Sequence, residues 1–361
     1  MAADGSRSGN GSSKGGVVWS KDPTILGTQE FAYGYGPGDR PVSVDQIFLK
    51  LPWFNETRLA MERALKMTRC ARKEHGTRGQ GPSRVGKTSV SRALLREHMP
   101  WRDDEGLHMP WGYTRVAAVP SIKVVGQQVL RSLGDPSWMQ NRNPVQRLAR
   151  IGEVAAMVGL EALVIDDLHH LVDARGKCVQ HAVADFFIDM GDETGVPFLF
   201  LGLERMDAVF RANEQLRGRT GTAIEYLRLD WRQEQHRNCF TESLSAITRL
   251  LSPKVNFDKS MADPTLGFRL YCSSGGLIGY LILIIRVAEY ESRKRKVPFG
   301  FGVLRKAVAN VVAKPVNWPG RKDPFHPDFV AEPTVEALKI ARSVGTGLGP
   351  REKQSGGATS R

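Results

Sequence analysis

The run EHGTRGQGPSRVGKTSVSRALL, residues 74–95, decides the fold. Gly81, Gly86, Lys87 and Thr88 fall in the spacing G-x-x-x-x-G-K-T, with Pro82, Ser83, Arg84 and Val85 between the glycines and Ser89 completing the turn. Glycines at those positions let backbone N–H groups wrap a phosphate chain at a helix N-terminus. The Lys87 ammonium would neutralise the β- and γ-phosphates of ATP, and the Thr88 hydroxyl would ligate Mg2+. Lys87 to His98 supplies the helix, with Val90, Ala93 and Leu94 on one face and a stop before Pro100. The residues ahead of the loop are less accommodating. HGTRGQ has no apolar pattern, and its two glycines disfavour a strand, so the sequence predicts a short, poorly formed first strand.

Independent support comes from ALVIDD, residues 162–167, an apolar strand ending in acids. Asp166 stands where a carboxylate holds the Mg2+ ion, and Asp167 where a group would polarise an attacking water. Aspartate is one methylene shorter than the glutamate many such ATPases carry, and a displacement of about 1 Å can cost on the order of a hundredfold in rate, so slow hydrolysis is expected. His169 and His170 follow in DLHHL; without further ligands nearby in sequence they read as surface or packing residues rather than a metal site.

The rest of the chain organises around these two motifs. TRVAAV, residues 114–119, reads as a strand closed by Pro120, with Ser121 capping a helix that places Ile122, Val125, Val129, Leu130 and Leu133 on one face. Asn143 and Pro144 open another helix, whose buried stripe is expected at Val145, Leu148, Ile151 and Ala155. VPFLFL and IEYLRL read as further strands, and the alternation of helices with near-continuous apolar strands predicts a parallel sheet covered on both faces. Leu59, Met61, Leu65 and Met67 suggest a lead-in helix after Asn55 and Thr57. From Trp231 onward only helical spacing appears. The expected division is a flexible tail over 1–41, an α/β domain over 42–230, a helical domain over 231–313, and a Pro/Gly-rich, mostly unfolded tail over 314–361 in which Trp318, Phe325 and Phe329 could dock on a partner.

Composition narrows the class. A chain of 361 residues with 41% hydrophobic and 25% charged residues can bury a core and a smaller satellite. The longest apolar run, Leu277 to Ile285, is far short of the roughly 20 residues of a membrane helix. The start, MAADGSRSGNGSSKGG, lacks the apolar core of a signal peptide, so a cytoplasmic protein without membrane contact is expected. Cys70, Cys178, Cys239 and Cys272 show neither zinc nor disulfide spacing. A formal net charge of +13 favours a polyanionic partner.

With these residues in view the chain resembles the TniB and TnsC family of transposition regulators, ATP-binding proteins of the AAA+ class. The likeness runs from about residue 45 to 312 and is carried by GPSRVGKT, VAAVPS, ALVIDDLHHL, VPFLFLGLERMDAVF, NEQLRGR and SSGGLIGYL. The resemblance implies a P-loop AAA+ parallel sheet flanked by helices, with a C-terminal helical lid. It implies a homo-oligomeric ring or filament on double-stranded DNA, with a transposase and a target-selector protein as partners. It also implies that an arginine of one subunit completes its neighbour's site; Arg219 stands at that position, with Arg217 as the alternative. Arg115 and Lys123, flanking the second strand and its helix, are the candidate DNA contacts it suggests.

The chain departs from the family pattern at Leu203, where a polar sensor is expected, with Glu204 as a substitute. It departs again at Tyr280, where some members have arginine, and at Asp167 and GRTGTAIEYL. These departures weaken turnover more than binding. They leave open an ATP-independent adaptor and, as a third reading, a helicase-loader-like or signalling ATPase. The basic run Arg293 to Lys296 closes a helix, where cations complement the dipole.

Overall fold

The computed structural model describes residues 32–34, 43–71, 76–173, 177–311 and 323–345. Strands β1 (Ala32–Gly34) and β2 (Ile47–Leu49) pair antiparallel and lead into helix α1 (Pro52–Ala71). There follow β3 (Thr77–Gln80), α2 (Lys87–Glu97), the hairpin β4 (Trp101–Asp103) and β5 (Gly106–His108), β6 (Trp111–Arg115), α3 (Ile122–Ser132) and α4 (Pro144–Met157). Next come β7 (Ala162–Asp166), α5 (His170–Asp173), α6 (Lys177–Thr194), β8 (Phe198–Gly202), α7 (Asp207–Ala212), α8 (Glu214–Gly218) and β9 (Ile224–Glu225). The order across the sheet is β6-β7-β8-β3-β9, every pair parallel. All five strands therefore end at one edge, where ligands of open α/β sheets bind.

Alternation along the strands divides the core between two faces. Leu163 and Ile165 of β7, with Phe198 and Phe200 of β8, face Val129, Ile151, Phe186 and Phe187 of the helices on one side. Ala162, Val164, Leu199 and Leu201 face a second cluster that includes Trp53, Phe54, Val90 and Leu94. Both faces are covered, which is why these strands read as unbroken apolar runs.

The first strand is short, as its sequence suggests, but not loose. β3 pairs with β8 along all four of its residues, Thr77↔Leu199 to Gln80↔Gly202, and lies in the interior of the sheet. Its glycine is there because a large ring occupies the space. A Cβ on Gly79 would sit 3.0 Å from the Tyr226 ring and 2.9 Å from Leu201. Its polar residues carry their own partners. Arg78 pairs with Asp207 at 2.8 Å and lies 4.7 Å over the Phe210 ring, while Gln80 donates to Glu225 at 2.7 Å. Tyr226 is itself fixed by a buried hydrogen bond, 2.7 Å, to the Thr57 hydroxyl.

Other boundaries move. The strand expected over 114–119 lies at Trp111–Arg115; the chain leaves the sheet after Arg115, and Val119 is 82% exposed. Of IEYLRL only Ile224–Glu225 pairs. Helix α1 starts at Pro52, ahead of Asn55 and Thr57, and buries Trp53, Phe54, Met61 and Ala64 while Leu59 and Met67 are exposed. In α4 the buried residues are Arg147, Ile151, Val154 and Ala155, and Val145 faces solvent; Asn143 and Gln146 form a capping box. Ser121 caps α3 by accepting from the Val124 amide.

After β9 the chain is helical: α9 (Glu234–Leu251), α10 (Pro264–Ser274), α11 (Ile278–Arg295) and α12 (Phe301–Val311). The apolar run from Leu277 lies largely in α11, whose Leu281, Ile284 and Ile285 are fully buried, and no single helix among the described residues is long and apolar enough to cross a membrane. Described segments within the expected flexible N-terminal tail and the expected mostly unfolded C-terminal tail are ordered. Ala32–Gly34 pairs with β2, and residues 323–345 pack on the helical domain through buried Phe325 and helix α13 (Val335–Ser343). Prolines at 324, 327 and 333 obscure α13 in the sequence, yet Thr334 caps it and Ala337, Leu338 and Ala341 give it a buried face. Trp318 lies outside the described residues.

Candidate nucleotide-binding site

The loop from Gly81 to Ser89 leaves the end of β3 and turns into α2. Gly81 passes under Tyr226 so closely that a Cβ would lie 2.2 Å from its carbonyl oxygen. Gly86 has φ +106, and Arg84 takes a left-handed φ of +66 that costs a non-glycine residue about 1 kcal/mol or more. The result is a tight arch with N–H groups at the start of α2 and Lys87 on its floor. Lys87 is 8% exposed and donates to the carbonyls of Gly81 (2.9 Å) and Pro82 (2.7 Å). Burial lowers its pKa to about 8, against the opposing pull of Asp166, Asp167 and Glu204.

The acids come from the adjacent strand end. Thr88 donates to Asp166 Oδ2 at 3.1 Å, Tyr113 of β6 donates to the same oxygen at 3.1 Å, and the Asp167 amide donates to Oδ1 at 2.8 Å. Asp166 is 1% exposed, and burial, then Asp167, raise its pKa above the usual carboxylate range. A hydroxyl and a carboxylate in contact beside a buried lysine are a hard oxygen donor set that suits Mg2+. The two halves of the sequence signal therefore converge on one point.

Asp167 is turned elsewhere. It has φ +58, and its Oδ2 accepts from Arg115 Nε at 3.0 Å and also from Nη2. Arg115, a sequence candidate for DNA contact, is thus the immediate partner of the candidate water-polarising acid, with its side chain 64% exposed. Lys123 lies exposed in the first turn of α3, on the same connection that leaves β6. Glu204 is exposed beyond the end of β8, where its charge acts on Lys87.

Arg219 is not brought to this site. Its carbonyl accepts from the Gly76 amide at 2.8 Å, at the start of β3, whereas the loop begins at Gly81. Five extended residues put about 16 Å between them. The Arg219 guanidinium pairs with both Asp192 oxygens, at 2.7 and 3.0 Å, beside a cavity of about 540 Å3 that Arg63 and Glu56 also line. Arg217 lies 3.8 Å from Glu214.

The helical domain closes the site from above. The Gly279 amide donates to the Arg84 carbonyl at 2.7 Å, and Arg84 lies 5.7 Å over the Tyr280 ring. Tyr280, without a charge of its own, thus presents a ring to a cation of the loop. A small cavity, about 50 Å3, remains between Ile47, Phe48 and Leu51 of the lead-in, Gly86 and Val90 of the loop and α2, and Ile278 and Ile282 of α11. These apolar residues line a cleft beside the start of α2 and the phosphate loop. Sequence reading missed them because they come from three distant segments, and their only signal is the apolar cluster IFLKL ahead of α1.

Two other features resolve differently. His169, His170 and Asp173 offer ligand atoms within 4.8 Å of one another, but Arg205 holds both Asp173 oxygens, so the carboxylate is already engaged. The basic run at the end of α11 is paired along its own helix, Arg293 with Glu289 and Arg295 with Glu291, while Lys294 lies 5.7 Å over Tyr290.

The sheet order, the loop and the buried acid define a P-loop ATPase fold of the AAA+ kind with a C-terminal helical domain. Its nucleotide-domain span is similar to one family in particular: residues 49–223 match the family model described as "Bacterial TniB protein". Among solved structures, the Aeropyrum pernix ORC2 protein in ADPNP–ADP complexes aligns with TM-score 0.52 at 12% identity, over 73% of this chain and 68% of that one. Cdc6p from Pyrobaculum aerophilum aligns with TM-score 0.51 at 15% identity, over 81% of this chain and 72% of that one. No curated protein matches the sequence.

Proposed function

We propose that this protein is an ATP-dependent regulator of DNA transposition. It binds ATP with Mg2+, assembles with further copies on duplex DNA, and brings a transposase to the target. The observation that carries the nucleotide reading is the contact of Thr88 with Asp166 beside buried Lys87, and the match to the TniB family supports transposition. Thr88 and Asp166 would hold the Mg2+ ion, which when bound neutralises phosphate charge. The loop amides position the phosphates, Lys87 exchanges the Gly81 and Pro82 carbonyls for phosphate oxygens, and the apolar cleft takes the base as the lid lifts. Arg219, about 16 Å from its own loop, acts on the nucleotide of a neighbouring copy.

Turnover is slow because Arg115 neutralises Asp167. A DNA phosphate competing for Arg115 releases that carboxylate to polarise water, so DNA stimulates hydrolysis. Duplex binding through phosphate contacts agrees with the net charge of +13. Equilibrium DNA binding and electron microscopy with ATP, with ADP and without nucleotide test the reading; no duplex binding in any of the three states refutes it. A second reading, an ATP-independent adaptor, draws on the Arg115–Asp167 pair and on Leu203. It prevails if Lys87→Ala leaves DNA binding and transposition intact.

A further inference from the structure

The C-terminal segment is tied to the parts of the chain that open and close this site. Arg228, on the connection from β9 to the helical domain, donates to the Gly275 carbonyl at 3.1 Å, the Arg342 carbonyl at 3.0 Å and the Val344 carbonyl at 2.7 Å. Arg342 reaches back to Asp230 at 2.9 Å, a carboxylate it shares with Arg232. The turn between α10 and α11 is moulded to the end of α13. Gly275 has φ +62, and a Cβ there would lie 2.5 Å from the Ala341 carbonyl and 2.8 Å from Val344. Beyond it, Gly345 is packed against Tyr280 and Leu277 so closely that a Cβ would lie 2.9 and 3.0 Å away. Tyr280 and its neighbour Gly279 are the residues that touch Arg84 of the phosphate loop.

The segment has a separate anchor at its start, while its helix has little apolar burial of its own. Phe325 is fully buried, and Arg269 donates to the carbonyls of His326 (3.1 Å) and Phe329 (2.8 Å) with its guanidinium 5.3 Å over the Phe329 ring. Helix α13 has nine residues and buries only Ala337, Leu338 and Ala341, with Val335 86% exposed. Helices shorter than about 12 residues are marginal alone, so α13 persists by this contact and can be lost without unfolding its support.

We propose that residues 323–345 form a strap that holds the helical lid down on the phosphate loop, so that release of α13 paces nucleotide exchange. The chain of contact runs from α13 through the 275–280 turn to the Arg84 carbonyl. The inference rests on the site being a nucleotide pocket, and its test separates the two. Amide hydrogen exchange of the nucleotide-free full chain is compared with Arg342→Ala and with a chain ending at residue 322, and release of a fluorescent ADP is timed in parallel.

Loss of one charge-assisted hydrogen bond predicts exchange about tenfold faster at 277–281 and 82–86 in Arg342→Ala, unchanged exchange in β7, and ADP release faster by a similar factor. A peptide of residues 323–345 added to the shortened chain restores slow exchange. Unchanged exchange at 277–281 and 82–86 in Arg342→Ala overturns the strap, as does acceleration spread equally over β7. A shortened chain that fails to protect β7 leaves the decision to Arg342→Ala. Failure of the parent protein to bind ADP refutes the nucleotide reading alone, because the exchange comparison uses none.

Discussion

Replacing Arg115 with alanine should raise basal ATP turnover, although it removes a cation from the neighbourhood of bound phosphates. In the structure both Arg115 donors converge on Asp167 Oδ2, with Nε at 3.0 Å. A hydrogen bond to a charged group contributes about 1.5–3 kcal/mol, and an exposed pair contributes about 1 kcal/mol or less. The Arg115 side chain is 64% exposed and that of Asp167 20%, so about 1–2 kcal/mol is a fair value for this pair. Releasing the carboxylate should then speed turnover by about fivefold to thirtyfold. The assay is steady-state phosphate release at saturating ATP, with and without duplex DNA. Arg115→Ala should be fast without DNA and gain little from it, whereas the parent should be slow and DNA-stimulated. An equal or lower basal rate in the variant would refute the idea that Arg115 restrains Asp167.

Three further outcomes follow from the geometry. Arg219→Ala should cut turnover by about a thousandfold while leaving nucleotide affinity unchanged, and mixing it with Lys87→Ala subunits should restore part of the rate; no recovery in the mixture argues against action between subunits. Gly79→Val should destabilise the fold by about 2 kcal/mol or more in urea titration, because its side chain meets Tyr226 and Leu201. His169 titrates at about 4 because it is buried, against 6.5 when unfolded, so the unfolded chain binds the additional proton between those values. The stability linked to neutral His169 is therefore intact above pH 6.5 and is lost as pH falls towards 4, by at most about 3 kcal/mol, and His169→Gln should flatten that part of the profile.

How much of this could be read in advance depends on what the information rests on. The loop and ALVIDD were legible because each is a local string with a local mechanism, and the Thr88–Asp166 contact joins them as their chemistry requires. Buried strands β7 and β8 announced themselves by apolar runs. β3 did not, because its suitability for the sheet interior lies in partners far away: Tyr226 fills the space above Gly79, and Asp207 and Glu225 hold Arg78 and Gln80. The polar run Thr77–Gln80 is thus a well-paired strand and gives no reason to expect a loosened loop. The Arg115–Asp167 pair and the apolar cleft were hidden for the same reason, since each joins segments that no periodicity connects. Helix α13 was obscured by the prolines that crowd the residues before it.

The claim on which the account turns is that nucleotide at Lys87 controls assembly on DNA. Sedimentation of the full chain with a duplex, with ATP and Mg2+, with ADP and Mg2+, and without nucleotide, alongside Lys87→Ala, tests it directly. The account predicts large complexes with ATP, few or none in the other conditions, and none with Lys87→Ala in any condition. Equal assembly by the parent and Lys87→Ala proteins, regardless of nucleotide, would contradict it.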